Sequence, residues 1–242
     1  MHERFRKEPF TEVRCLPEAL SKPLHWRKPR AVFIDCADLF HKDVPDDFIA
    51  AVFGVMASTP QHTYLVLTKR ADRMRDWFKR VSERAPRCPE GGTILCLDIG
   101  DKFLTGLPFE SKRPWPLPNV WLGVTAENQA MADERIPLLL ATPAAHRWVS
   151  AEPLLESIVF NPEWLGPGAI EQVIPGVESG THRRPCPPVA IPLIVQMCAK
   201  RDARCFVKQV EIDGKCVTDP TLFPPGLRVR ELAWKPTAKG ET

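Results

Sequence analysis

The chain has 242 residues, with 33 Lys and Arg against 30 Asp and Glu, a formal charge of +3, and a composition 44% hydrophobic and 26% charged. That length suits one large core or two small ones, and a charge so near balance makes no case for nucleic acid without a local basic patch. No apolar run approaches the roughly 18 residues of a membrane span, and the charged start Met1–Lys7 does not read as a signal peptide.

The 26 prolines fall between apolar runs and read as loop punctuation. The cysteines at 15, 36, 88, 96, 186, 198, 205 and 216 form no CxxC pair, which excludes a zinc ribbon or a thioredoxin-like motif. The last four could meet in space as a metal site; the plainer reading is separate thiols. A cytoplasmic, reducing setting is expected.

Residues 1–30 read as an N-terminal arm, charged but carrying apolar side chains, with a short helix near Leu16–Leu20. Ala31–Cys36 is the first strand. Asp43 is expected to cap a helix with Pro45 in its first turn and Phe48, Ile49, Val52, Phe53 and Met56 on one face. Thr63–Thr68 is a strand, and Asp72–Arg84 a helix with Met74, Trp77, Phe78 and Val81 inward. Lys69, Arg70, Arg73, Arg75, Lys79, Arg80, Arg84 and Arg87 against Asp72, Asp76 and Glu83 make the stretch 69–87 the best candidate for a phosphate-facing patch. A solvated helix face is the plainer alternative.

Residues 86–118 interrupt the rhythm, and Thr93–Asp98 within them is a strand or part of an excursion over the site. Asn119–Pro153 then forms one strand–helix–strand unit, whose helix Pro137 is expected to split. A short helix is expected around Pro162–Leu165, a strand over Ile170–Gly176, a helix over Ile191–Lys200 and a strand over Arg204–Gln209. Pro175 favours an edge, an irregular strand or a strand end. Asp213-Gly214 is a turn, and Leu227–Trp234 a last strand in a C-terminal extension, 211–242. Strands alternating with helices predict a single parallel α/β domain over 31–210, a partial or open barrel.

In such a fold the C-terminal ends of the strands build the site. Glu127, Glu152 and Glu178 would bring carboxylates together for acid–base or cation chemistry. Lys208, at the end of an apolar strand, could be desolvated toward a nucleophilic amine. Asp38 with His41 could ligate a metal, though two ligands are weak evidence. HExxH, GxSxG, P-loop and dinucleotide fingerprints are absent.

Asp38-Leu-Phe-His41 with Val44-Pro45, Leu67-Thr-Lys-Arg70 with Arg73-Met74, Asn119–Val124 with Ala132–Leu138, Ser150–Leu154, Glu178-Ser-Gly180 and Lys208-Gln209 occur in order over 31–210. Together they resemble a phage-encoded and bacterial family of unknown function related to radical S-adenosylmethionine enzymes. The resemblance implies a radical-SAM-like, TIM-like open barrel with Glu127, Glu152, Glu178 and Lys208 as catalytic residues. It implies Asp38, His41, Lys69 and Gly176 as cofactor-binding, S-adenosylmethionine as cofactor, and a nucleic acid or nucleotide as substrate.

Members of that family usually carry an N-terminal strand and a three-cysteine segment resembling a 4Fe-4S cluster loop, and this sequence has none. Three expectations follow: a fragment missing its first strand, a degenerate member that lost the cluster, or Cys15 joined by distant cysteines. Beside these stand a cluster-free enzyme using the carboxylates and Lys208 for hydrolysis or Schiff-base chemistry, and a non-catalytic binding module for nucleic acid or protein.

Overall fold

The computed structural model describes residues 13–35, 37–104 and 113–234. Residues 1–12 of the arm, Cys36, residues 105–112 of the interruption and residues 235–242 lie outside the described part.

A single parallel sheet organises the domain, with strands β1 (Ala31–Ile34), β2 (Thr63–Thr68), β3 (Val120–Thr125), β4 (His146–Ala151), β5 (Gln172–Pro175) and β6 (Arg204–Cys205) adjacent in chain order. β1 and β6 lie at the two ends of the sheet. Helices α2 (Asp46–Ser58), α3 (Ala71–Arg84), α4 (Gly91–Gly100), α5 (Gln129–Leu140) and α6 (Ala190–Lys200) pack on one face, as right-handed crossovers between neighbouring parallel strands require. A four-residue helix, α1 (Pro17–Leu20), lies outside them and buries Leu20 against Ala51 and Val55 of α2.

Several local expectations are corrected. Thr93–Asp98 is not a strand; it lies in α4, which crosses α2 closely. A Cβ on Gly54 would sit 2.7 Å from the Cys96 carbonyl oxygen, so glycine sets that approach. A short apolar run carries no signal that separates a strand from a buried helix. The N-cap of α2 is Pro45, not Asp43, and Asp46 and Asp47 occupy its first turn, where the helix dipole favours anions.

Pro137 does not split α5, which runs unbroken with Asn128 capping the Met131 amide at 2.9 Å. Proline there forgoes one hydrogen bond, while buried Ile136 and Leu139 hold the last turn against the core. Pro175 ends β5, an interior strand, where it needs no ladder donor. Leu227–Trp234 is not a strand of the sheet: a 3₁₀ turn at Pro225–Leu227 leads into an extended segment that touches β6 through a single antiparallel bridge, Phe206 to Arg230. The Asp213-Gly214 hairpin is present between β7 (Val210–Ile212) and β8 (Lys215–Val217), with positive φ at both turn residues.

Strand alternation sorts the side chains. Val32, Tyr64, Val66, Leu122, Val124, Val149 and Val173 point into the helix-packed core. On the helix-free face the register forms rows: Phe33, Leu65, Trp121 and His146, then Leu67, Gly123, Trp148, Gln172 and Arg204, then Thr125, Ser150 and Ile174. Two residues further on, the same phase places Glu127, Glu152 and Gly176 past the strand ends, at the C-terminal edge.

Candidate functional site

The site grows from that last row. Glu127 follows β3 in phase with Thr125, and its carboxylate is taken by two cations. Lys69, just past β2, donates to Oε1, and Arg135 of α5 donates to Oε2 at 2.9 Å. Arg135 also donates to the Thr125 carbonyl at 2.9 Å. Burial raises the Glu127 carboxyl, but the Lys69 hydrogen bond and the Arg135 charge outweigh it, and the net position is below the usual carboxylate range. Glu127 and Arg135 are 12% and 11% exposed, so this pair is built into the wall; Lys69, at 55%, lies at the surface.

Asp38 belongs to the same side of the mouth and works as a hub. It accepts from the Phe40 amide at 3.0 Å, the Thr68 hydroxyl at 2.7 Å, the Lys69 amide at 3.3 Å and the Arg70 guanidinium at 2.6 Å. These bonds tie the loop after β1 to the end of β2. His41 accepts the Asp43 amide at 3.3 Å and lies 3.5 Å from the Asp43 carboxylate, while its own amide donates to the Asp38 carbonyl at 3.0 Å.

Glu152 follows β4 and meets the end of the sheet. Lys208 Nζ donates to its two oxygens at 2.9 and 2.8 Å, and Gln209 Nε2 donates to Oε1 at 3.3 Å. The ladder reaches Lys208 through Phe206 N to Val173 O at 3.0 Å and Lys208 N to Pro175 O at 2.9 Å. Gln209 is buried and also donates to the Val177 carbonyl. Gly176 lies between, and a Cβ there would stand 3.4 Å from the Glu152 side chain, so β5 leaves the space that Glu152 and Lys208 bridge. Lys208 is 53% exposed and ion-paired. That is not the desolvated setting a nucleophilic amine needs.

Glu178 lies further out. Arg184 grips it through its backbone at 2.6 Å and its guanidinium at 3.0 and 2.6 Å, and these hydrogen bonds pull the Glu178 carboxyl down to about 2. Arg184 is held charged first by Glu178 and, more weakly, by the field of Glu127. Glu127, Glu152 and Glu178, which follow β3, β4 and β5, are thus each ion-paired, Glu152 with Lys208.

The sequence reading missed Arg135 and Arg184. Arg135 did leave a signal: it shares a helix face with Ala132 and Leu139, so a charge on an apolar stripe had to find a partner. Arg184 left none, because its loop has no periodicity.

Five of the eight cations of the basic stretch 69–87 are ion-paired within the fold, and Lys79, Arg84 and Arg87 are exposed. Lys69 and Arg70 serve the mouth, Arg73 and Arg80 bind Asp46, and Arg75 binds Asp76.

Among the described residues no group of three His, Cys, Asp or Glu could hold a metal ion. The seven described cysteines are free thiols, and Cys96, Cys186, Cys198 and Cys205 are buried. The neighbouring Cys198 thiol and burial push the Cys205 thiol up. A cluster needs close, deprotonated thiolates, and this donor set does not fit one. No helix among the described residues is long and apolar enough to cross a membrane.

A family model for a "Protein of unknown function (DUF5131)" matches residues 2–218. The chain belongs to this family. The match carries no link to radical S-adenosylmethionine enzymes, and it covers the whole ion-paired edge from Asp38 to Gln209. The extended segment ending in Trp234 lies beyond it. No curated protein and no solved structure matches the chain.

Proposed function

We propose that the protein is a barrel-type small-molecule enzyme whose C-terminal sheet edge takes a ligand carrying both an anionic and a cationic group, as an amino acid does. S-adenosylmethionine, suggested by the resemblance of the strand-end segments, is the first candidate. The observation that carries this is the Glu152–Lys208 pair, which spans β5 over Gly176 with its ammonium half in water.

Two kinds of ion pair line the edge, and exposure separates them. In the Lys208–Glu152 pair the ammonium is 53% exposed and the carboxylate 20%, so the lysine end can swing into water when a ligand enters. Breaking a buried pair such as Arg135–Glu127 costs about 3–5 kcal/mol. Glu152 and Lys208 are therefore the exchangeable groups: Glu152 would receive the ligand's ammonium and Lys208 its carboxylate. Glu127, Arg135 and Asp38 hold the frame around them, and Gln209 keeps Glu152 aimed at the mouth. No step through an iron–sulfur cluster is part of this reading, because the described thiols do not fit one.

The test is calorimetric titration with S-adenosylmethionine and with free methionine. Binding should weaken at least tenfold in Glu152→Gln and in Lys208→Met, with thermal stability nearly unchanged. Equal binding by these variants and the unaltered chain, or no binding of either ligand, would end the proposal.

A further inference from the structure

Below the charged edge, the helix-free face of the sheet carries an aromatic hollow. The indole of Trp148 lies flat across β3, possible only because residue 123 is glycine: a Cβ there would fall 2.4 Å from Trp148 Nε1. Trp148 is 2% exposed, and its Nε1 has no hydrogen-bond partner. Phe33 stands edge-on to it with ring centroids 6.4 Å apart, yet stays 48% exposed, so the hollow is open on the β1 side.

The present occupant is the chain's own Trp234. Its ring lies 5.4 Å from Trp121, 6.1 Å from Phe33 and 6.3 Å from Trp148. The segment that delivers it is a strap rather than part of the sheet. Val207 N donates to Val229 O and Glu231 N to Cys205 O, both at 2.9 Å. The buried amide of Gln172 then clamps the strap, donating to Glu231 O at 3.2 Å and accepting from Ala233 N at 2.8 Å.

Trp234 fits the hollow in shape and fails it in chemistry. Indole is a donor with no acceptor lone pair, so it cannot satisfy the stranded Trp148 N–H. A buried donor without a partner is costly, and aromatic rings favour the edge-to-face contacts these walls offer.

We propose that this hollow is a binding subsite for a planar heteroaromatic ring bearing a hydrogen-bond acceptor, and that Trp234 fills it as an internal stand-in when no ligand is bound. Trp148 lies four residues before Glu152 on the same strand and face, about 13 Å at the strand rise. Resting on the reading of the edge as the site for the charged end, the subsite makes the ligand an elongated one, with its ring below and its charges at the mouth.

The probes are indole and 7-azaindole, which share a shape but differ in one ring nitrogen acceptor. Calorimetry should show Trp234→Ala binding 7-azaindole at least tenfold more tightly than indole, and the full unaltered chain binding it at least tenfold more weakly than Trp234→Ala does. The preference should vanish when Trp148→Phe is added, because the ring stays and the N–H goes. Equal affinity for the two probes in Trp234→Ala, or no binding, overturns the proposal. Should Trp234→Ala fail to fold, Trp234→Leu keeps a core side chain, and the same preference must appear there or the proposal falls. Neither probe is charged, so Glu152→Gln and Lys208→Met should leave these affinities unmoved. That separates failure of the hollow from failure of the edge.

Discussion

Replacing Glu127 by Gln keeps the shape of the side chain and removes its charge. Arg135, 11% exposed, then keeps the Thr125 carbonyl but loses its counter-ion. Stranding a buried partner costs about 3–5 kcal/mol; the Gln oxygen retains one hydrogen bond to it, worth about 1 kcal/mol. The Lys69 ammonium is half exposed and returns to water at little cost. The expected loss is therefore about 2–4 kcal/mol at neutral pH. With a urea slope near 2–3 kcal/mol/M for a chain of this size, the midpoint should fall by roughly 1 M.

The loss should depend on pH with a definite sign. The folded Glu127 carboxyl lies below its unfolded value. Its contribution is therefore fully present above the ordinary carboxylate range and disappears as pH falls through the depressed folded value. The double variant Glu127→Gln with Arg135→Met should recover at least about 1 kcal/mol relative to additivity. A loss under about 0.5 kcal/mol, or strict additivity in the cycle, would show that the pair is solvated and that the frame around the mouth has been misjudged.

Other substitutions probe the same architecture. Gly123→Ala drives a methyl into the buried Trp148 ring and should cost at least about 2 kcal/mol by urea unfolding, whereas Gly176→Ala, with 3.4 Å to its neighbours, should cost less than about 1 kcal/mol. Asp38→Ala leaves the Phe40 amide, the Thr68 hydroxyl and the Arg70 guanidinium without their acceptor and should cost about 3 kcal/mol. Arg184→Ala removes the guanidinium bonds but keeps the backbone one, so the Glu178 carboxyl should rise from about 2 toward the ordinary range without reaching it, read by carboxyl NMR titration. Tyr64 is the chain's one tyrosine, and burial pushes it up to about 12 despite its 2.6 Å hydrogen bond with Thr59. Absorbance should therefore titrate near 12 when folded and near 10 in urea, with stability falling as pH rises through that interval.

The residue pattern alone located the strands along the chain and the edge at which their polar ends gather. Each apolar run of β2, β3 and β4 is followed by a charge two residues past its last position on the helix-free face. Because strand side chains alternate with a period of two, Glu127 and Glu152 had to share a face. It did not determine α4, since Thr93–Asp98 has no periodicity to distinguish helix from strand, nor the length of α5, since the core and not the Pro137 propensity decides whether the last turn forms. What only the tertiary structure decided is pairing. Lys208 meets Glu152 across a glycine on the strand between them, Arg184 reaches Glu178 from an irregular loop, and Trp234 finds Trp148 from far along the chain. Such contacts depend on which strands are neighbours and on the space a missing Cβ leaves, and local spacing carries neither.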